Sequence, residues 1–301
     1  MNTHSPTTTD PLIGFIGLGW MGSHFAGQLL QAGWRLEVYD LVAQKRAALA
    51  DQGAIAAAGA DHVVRDCDVV FTSLRSSAVF GTVAEQSLIP NSRPGQVVVD
   101  LGTTEVGLTR QVAAALAAKG AALLDAPVSG DPRQPVYVFV GGEVTAFERA
   151  RPLLEVLADP DHLTLGGGSG AGQILKGVNQ LAMGLVQAAW LEVVSYATRQ
   201  GIDPQTIGQA VGGATGWRAE LVRVCRQIAD GKGDANDLKF AELPYFLNAA
   251  EQAGLDLPLT RALFEFCDPG PRDWRDNMNR PYVSFWSMLN RGPETDADKE
   301  R

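Results

Sequence analysis

The chain is short of cysteine, of histidine and of clustered charge, and each shortage removes a class of function. Its 301 residues include 3 cysteines and 4 histidines. Cys67, Cys225 and Cys267 are odd in number and far apart, so they indicate neither a disulfide framework nor a metal pair, and a reducing cytoplasm suits them. His4, His24, His62 and His162 make no ligand spacing with one another or with the cysteines, so no catalytic metal is expected. The formal charge of −9 is spread along the chain without a basic block. That argues against nucleic acid and against an anionic membrane surface as partners. Residues 1–10 lack the charged-then-apolar pattern of a signal peptide and read as a loose tail, and the charged stretch 292–301 reads as another. No apolar run is expected to span a bilayer, because Gln180, Gln187 and Glu192 interrupt the longest one. What the chain does have is 46% hydrophobic residues and enough length for two domains of ordinary size.

A stretch without proline starts at Gly170 and continues to about Gly201. At 1.5 Å per residue a helix of that length reaches roughly 45 Å, so it is expected to belong to more than one compact unit. Ile174, Leu175, Val178, Leu181, Leu185, Val186, Trp190, Val193 and Val194 make most of it apolar, and nearly all its circumference is expected to be buried. Lys176, Asn179, Gln180, Met183 and Gln187 recur at three- and four-residue spacings and share one face near the amino end. A lysine and two amides turned into packing need partners, which a cleft supplies. The alternative is a lysine that only snorkels at a helix start or meets a carboxylate.

Upstream, strand and helix patterns alternate. Leu12 to Ile16 reads as a strand, followed at once by Gly17-Leu18-Gly19-Trp20-Met21-Gly22 and a helical pattern to Gly33. In a dinucleotide-binding turn of this kind the first glycine permits the tight turn, the second lets a pyrophosphate approach, and the third lets the helix lie close to the strand. Arg35 to Tyr39 reads as the next strand and ends in Asp40, where a carboxylate accepts from ribose hydroxyls and repels a 2′-phosphate. NAD is therefore favoured over NADP, with Lys45 and Arg46 nearby read as a solvated helix face.

Strands at 69–74, 97–101 and 121–124 alternate with helices at 78–86 and 109–119, which predicts a parallel sheet with helices on both faces, and a further apolar run at 136–140 precedes another helix at 143–157. Ligand contacts then fall on the loops at the strand ends: Leu74-Arg75-Ser76, Gly102-Thr103-Thr104, and Asp125 to Gly130. After the glycine cluster 166–170 only helix and turn patterns remain. The expected domains are a dinucleotide-binding unit over 11–168 and an all-helical unit over 169–291.

Gly14-Phe15-Ile16-Gly17-Leu18-Gly19-Trp20-Met21-Gly22, Asp125-Ala126-Pro127-Val128-Ser129-Gly130 and Gly172-Gln173-Ile174-Leu175-Lys176-Gly177-Val178-Asn179 together resemble the β-hydroxyacid dehydrogenases, the 3-hydroxyisobutyrate dehydrogenase-like family related to the 6-phosphogluconate dehydrogenases. The match runs over roughly residues 12 to 260. The resemblance implies an α/β, Rossmann-type doubly wound sheet joined by a long interdomain helix to an all-α C-terminal domain, with a small-molecule substrate held between them. It places Ser129 and Gly130 on the substrate-binding segment, Lys176 on the catalytic lysine, Asn179 on an asparagine that positions substrate, and Thr103 on the nicotinamide side of the cofactor. Asp40 stands where NADP-preferring relatives carry an asparagine–arginine pair.

Three places depart from the family pattern. The loop Asp131-Pro132-Arg133-Gln134-Pro135 is shorter and stiffer, with Asp131 where relatives bind the substrate carboxylate. Gln180 replaces a second asparagine. A lysine–aspartate pair reads Ala241-Glu242, with Lys239 two residues earlier as a substitute. Asp131 either pairs with Arg133 and rigidifies the loop or meets an ammonium group, which makes the substrate a β-hydroxy amino acid.

The expected reaction interconverts a small β-hydroxyacid and its oxo or semialdehyde form. It needs a base for the hydroxyl proton, and burial beside a cationic nicotinamide suits Lys176 to that role. The alternatives are an imine reductase on the same scaffold and a dinucleotide-binding protein without chemistry. Trp217 and Arg218 either line the substrate side or pack at a helix start. The long helix, with Trp274, Phe285 and Trp286, suggests a homo-oligomer, most simply a homodimer.

Overall fold

The computed structural model describes residues 11–232 and 242–267. Lys239, Ala241, Trp274, Phe285, Trp286 and the two terminal tails lie outside the described residues.

The chain opens with β1 (Ile13–Ile16), α1 (Trp20–Gln31), β2 (Leu36–Tyr39), α2 (Ala43–Ala50), β3 (Ile55–Ala56), α3 (Ala60–Asp66) and β4 (Val69–Thr72). Helix α4 (Ser77–Val83) runs through a π-turn (Ala84–Leu88) into α5 (Ile89–Asn91), followed by β5 (Val97–Asp100), α6 (Val106–Ala117) and β6 (Ala122–Asp125). Then come β7 (Val128–Ser129), β8 (Val136–Gly141), α7 (Val144–Leu157) and β9 (Ala158–Gly167).

The sheet order is β3-β2-β1-β4-β5-β6-β8-β7, with β9 paired to β8. All pairs from β3 to β6 are parallel, as expected of a Rossmann-type unit. The far end is mixed, because β8 runs antiparallel to both β6 and β7 while β9 is parallel to β8. Residues 130–135 reverse the chain there, and an antiparallel edge on a parallel sheet is a common arrangement.

The two-residue period of a strand explains how the sheet is covered on both faces. Ile13, Phe15, Val69, Phe71, Val97, Val99 and Leu124 enter one core with Phe25 and Leu29 of α1 and Phe147 and Leu154 of α7. Ile16, Val70, Val98 and Leu123 enter the other with Val63, Phe80 and Leu116. Phe15 and Phe71, neighbours across β1 and β4, stack with centroids 5.7 Å apart.

The remaining elements are helices: α8 (Ala171–Arg199), α9 (Pro204–Val211), α10 (Gly216–Ala229), α11 (Leu243–Gln252) and α12 (Pro258–Cys267). The start of α9 shows the local logic: the Asp203 carboxylate accepts the Thr206 N–H at 2.9 Å, and Pro204 occupies the first helical position. Leu191, Val194, Ile207, Leu221, Val224, Leu247 and Phe264 form a core of their own. The chain divides into two compact units, residues 1–177 and 178–301, and the division falls inside α8.

Two expectations about α8 are corrected. Its circumference is not buried all round in the single chain: Ile174, Val178, Met183, Val186, Val193 and Tyr196 are exposed, while Leu191 and Val194 enter the helical core. Its length and composition also suffice to cross a membrane, since Gln180, Gln187 and Glu192 leave an 18-residue window with mean hydropathy 1.2. Only 22% of that window is buried.

Candidate active site

The glycine turn between β1 and α1 has the form a dinucleotide requires. Gly17 sits at φ +95°, and a Cβ there would lie 2.4 Å from the Ser73 carbonyl oxygen. A Cβ on Gly22 would lie 2.1 Å from the Gly17 carbonyl oxygen, so the third glycine is what lets α1 pack on the turn. Gly19 faces open space, with nothing within 4 Å of a Cβ built on it. No side chain caps α1 and no acid occupies its first turn, which leaves its first N–H groups directed at an incoming anion. Leu18 is buried, whereas Trp20 is exposed and Met21 packs in part against the sheet core. A cleft of about 630 Å³ opens beside Gly19, with Trp20, His24, Lys45 and Arg133 on its walls. These residues fit a bound nicotinamide dinucleotide.

Asp40 ends β2 beside this turn. Its Oδ2 accepts the Leu18 N–H at 2.7 Å and its Oδ1 accepts the Val42 N–H at 2.9 Å. Lys45 lies 3.6 Å from the same carboxylate, and Arg46 donates to the Asp40 carbonyl while its guanidinium covers the Tyr39 ring at 5.4 Å. The two cations are therefore fastened to the end of β2 rather than merely solvated.

Two adjacent parallel strands, β5 and β6, end in aspartates in register with each other, Asp100 and Asp125. Asp100 accepts the Thr72 hydroxyl at 2.8 Å, the Thr104 hydroxyl at 2.7 Å and the Gly102 N–H at 3.1 Å. Burial pushes its carboxyl up to about 6, against the pull of those donors. The folded state therefore holds this proton more tightly than the unfolded chain, whose ordinary value is 3.8. Stability from this group is complete below about pH 4 and is lost as pH rises through about 6. Asp100→Asn is expected to flatten that part of the pH dependence, measured as the difference in melting temperature from the parent protein across the window.

Asp125 is fully buried and caps the start of α8: its Oδ1 accepts the Gly170 N–H at 2.8 Å and its Oδ2 the Gln173 N–H at 3.0 Å. Burial raises its pKa, and those backbone donors hold the rise back. One turn further on, Lys176 is 7% exposed and its Nζ donates to the Val128 carbonyl at 2.9 Å. In this bond the lysine is buried and held by a backbone carbonyl. It is set against the segment that continues into Ser129 and Gly130. Thr103 is half-buried in the loop after β5, Leu74 packs under Gly17, and Arg75 is exposed.

In the short loop after Gly130, Arg133 donates to both carboxylate oxygens of Asp131, from Nε at 2.9 and 3.1 Å and from Nη2, and its own N–H adds a bond at 2.9 Å. Those bonds to Arg133 hold the Asp131 carboxyl down at about 2. Arg133 also reaches over the Trp20 ring at 5.9 Å, and Gln28 donates to the Pro132 carbonyl at 3.1 Å. The pairing reading of Asp131 is the one the geometry favours, and it docks the loop on α1.

In the helical unit, Asn179 donates to the Met183 sulfur at 3.7 Å, and Gln180 reaches Glu242 at 3.5 Å. Two of the positions that depart from the family pattern therefore meet each other. Trp217 stacks on Trp190 with centroids 6.0 Å apart, and Arg218 covers the Trp217 ring at 4.4 Å. Sequence reasoning placed Thr104 and Asp125 on ligand-contacting loops and Gln173 in a family motif, but missed Asp100 and the bonds by which these four hold the site together. The available signal was a pair of aspartates closing consecutive apolar strands.

Comparison with known proteins follows the same division. Residues 12–167 match the NAD binding domain of 6-phosphogluconate dehydrogenase, and residues 170–272 match the domain described as NAD-binding of NADP-dependent 3-hydroxyisobutyrate dehydrogenase. The 2-(hydroxymethyl)glutarate dehydrogenase of Eubacterium barkeri is 30% identical over 269 residues, 86% of this chain and 88% of the relative. The 3-hydroxyisobutyrate dehydrogenase of Pseudomonas aeruginosa is 34% identical over 220 residues, 69% of this chain and 72% of the relative. Among solved structures, Mycobacterium tuberculosis 3-hydroxyisobutyrate dehydrogenase with L-serine superposes with a TM-score of 0.74 at 24% identity, covering 93% of this chain and 98% of that one.

Proposed function

The chain belongs to the β-hydroxyacid dehydrogenase family, 3-hydroxyisobutyrate dehydrogenase-like, and we propose that it interconverts a small 3-hydroxy acid and its semialdehyde, with Lys176 as general acid and base. The observation that carries this reading is the placement of Lys176 Nζ, held at 2.9 Å by the Val128 carbonyl next to Ser129 on a helix start fixed by Asp125.

When bound, the nicotinamide supplies the hydride acceptor for oxidation or the donor for reduction. Gly17, Gly19, Gly22 and the first N–H groups of α1 would hold the pyrophosphate, and Leu74, Arg75 and Thr103 would border the cofactor. In oxidation the Lys176 amine takes the hydroxyl proton; in reduction its ammonium returns it to the forming alkoxide. Ser129 and Gly130 fix the carboxylate or hydroxyl by neutral hydrogen bonds, with Asn179 one helical turn beyond the lysine. The domains in this reading are 11–168 for the dinucleotide and 169–291 for the helical part.

The substrates named in the relatives, 2-(hydroxymethyl)glutarate and 3-hydroxyisobutyrate, and the L-serine in the solved structure share one fragment: a carboxylate with a hydroxymethyl group on the neighbouring carbon. That fragment is the substrate class, without selection for an amino group by Asp131, whose charge Arg133 already satisfies. NAD is preferred, because a 2′-phosphate would meet the Asp40 carboxylate. A screen of 3-hydroxy acids and semialdehydes with both dinucleotides is expected to give turnover at least about tenfold better with NAD. Imine reduction without turnover of any hydroxy acid would replace this reading.

The protein in this reading is a cytoplasmic homodimer, supported by the exposed apolar stripe along α8 and by the free, buried thiols of Cys67 and Cys225. Light scattering at micromolar concentration is expected to return twice the chain mass; a monomer there removes the dimer.

A further inference from the structure

Gln173 is 1% exposed and commits both ends of its amide to one short loop. Its Oε1 accepts the Thr104 N–H at 3.0 Å and its Nε2 donates to the Gly102 carbonyl at 2.9 Å, with Thr103 between those two residues. Its own N–H is bound by Asp125, and Lys176, three residues later on the same helix, is bound to Val128. The opening turns of α8 therefore connect the loop after β5 with the segment after β6 through bonds that span 45 to 71 positions in sequence.

We propose that Gln173 is a positioning residue that fixes residues 102–104 relative to Lys176, so that the nicotinamide side of the cofactor pocket and the proton-transferring amine are placed by one side chain. The proposal rests on the function read above, in which a nicotinamide lies against Thr103. A single amide suits the task because it offers a donor and an acceptor in a fixed plane, and both loop groups lose that bond together if it is removed.

The test compares the parent protein, Gln173→Met, Gln173→Glu and Lys176→Ala by NADH fluorescence titration and steady-state kinetics between about pH 5 and 8. Methionine keeps the length of the side chain and loses both bonds. It is expected to weaken NADH binding about tenfold and to lower kcat about tenfold, with KM for the hydroxy acid changing less than about threefold. Glutamate reproduces the amide only when protonated, as one donor and one acceptor; ionised, it repels the Gly102 carbonyl and the nearby Asp100 and Asp125. Gln173→Glu is therefore expected to match the methionine variant at high pH and to regain NADH affinity over it on acidification. Taking the ratio of the two variants at each pH removes the titrations they have in common.

NADH affinity and kcat both within about twofold of the parent in Gln173→Met, or a glutamate variant that tracks the methionine one at every pH, overturns the assignment. If Gln173→Met does not fold, the ratio of Gln173→Glu to the parent protein decides: NADH affinity that recovers toward the parent on acidification supports the assignment, and a ratio constant across the pH range overturns it. Normal turnover in Lys176→Ala would end the lysine reading and leave the NADH measurements on Gln173 interpretable by themselves.

Discussion

Lys176→Ala is expected to lower turnover by about 10²- to 10⁴-fold, the range usual for loss of a general acid or base, while NADH binding changes by less than about twofold. The separation follows from where the side chain ends. Its Nζ bonds the Val128 carbonyl, on the segment leading to Ser129, whereas the dinucleotide is proposed to lie on the glycine turn that Asp40 clamps. Lys176→Arg sharpens the test, because a guanidinium keeps the positive charge and cannot give up its proton near neutral pH. If charge alone mattered, arginine would restore most of the rate; with proton transfer at stake it restores little. Full turnover in the alanine variant would falsify the assignment of Lys176 outright.

The second large effect is on the fold and passes from there to the chemistry. Asp125→Ala removes the acceptors of the Gly170 and Gln173 N–H groups at the buried start of α8. Leaving two buried donors unpaired, at about 1–3 kcal/mol each, gives an expected loss of about 3 kcal/mol. At about 2–4 °C per kcal/mol for a chain approaching this size, the melting temperature drops by on the order of 10 °C. Asp125→Asn retains one acceptor and is expected to lose about half as much. In either variant kcat should fall more than NADH affinity, since Lys176 stands on the turn that has lost its anchor. An alanine variant that melts with the parent protein would mean that α8 is held in place elsewhere.

The parts of this molecule legible in sequence were those whose signal is local. The strand–glycine–helix unit from Ile13 to Gln31 is stated by a few neighbouring residues, and the apolar runs of β4, β5 and β6 mark strands buried on both faces. Strand β3 is two residues long and exposed, too short for any period to show. Strand β9 opens on Ala158-Asp159-Pro160-Asp161, a composition that reads as a turn and is tolerated only where the strand need not sit in the middle of a parallel sheet. The apolar run of β8 announced burial but not direction, so its antiparallel setting was invisible. Lys176 stood out because a lysine on an apolar helix is unusual. Its supports did not, because Asp125, Gln173 and Thr104 meet only through hydrogen bonds across 48 to 69 positions of sequence. The expected all-round burial of α8 failed for a related reason: an apolar stripe says that a surface needs covering, and is silent on whether the same chain covers it.

The Asp40 carboxylate has a consequence for anyone wishing to change the coenzyme. Both of its oxygens are already fastening the backbone of Leu18 and Val42, so it clamps the glycine turn to the edge of β2 in addition to its proposed role at the adenosine ribose. Exchanging it for a residue that cannot accept a hydrogen bond, such as alanine, to admit a phosphorylated dinucleotide would slacken the cradle in the same stroke. Retargeting therefore calls for a replacement that still accepts from Leu18, such as asparagine or serine, together with a cation brought in from Lys45 or Arg46 once that carboxylate no longer holds Lys45.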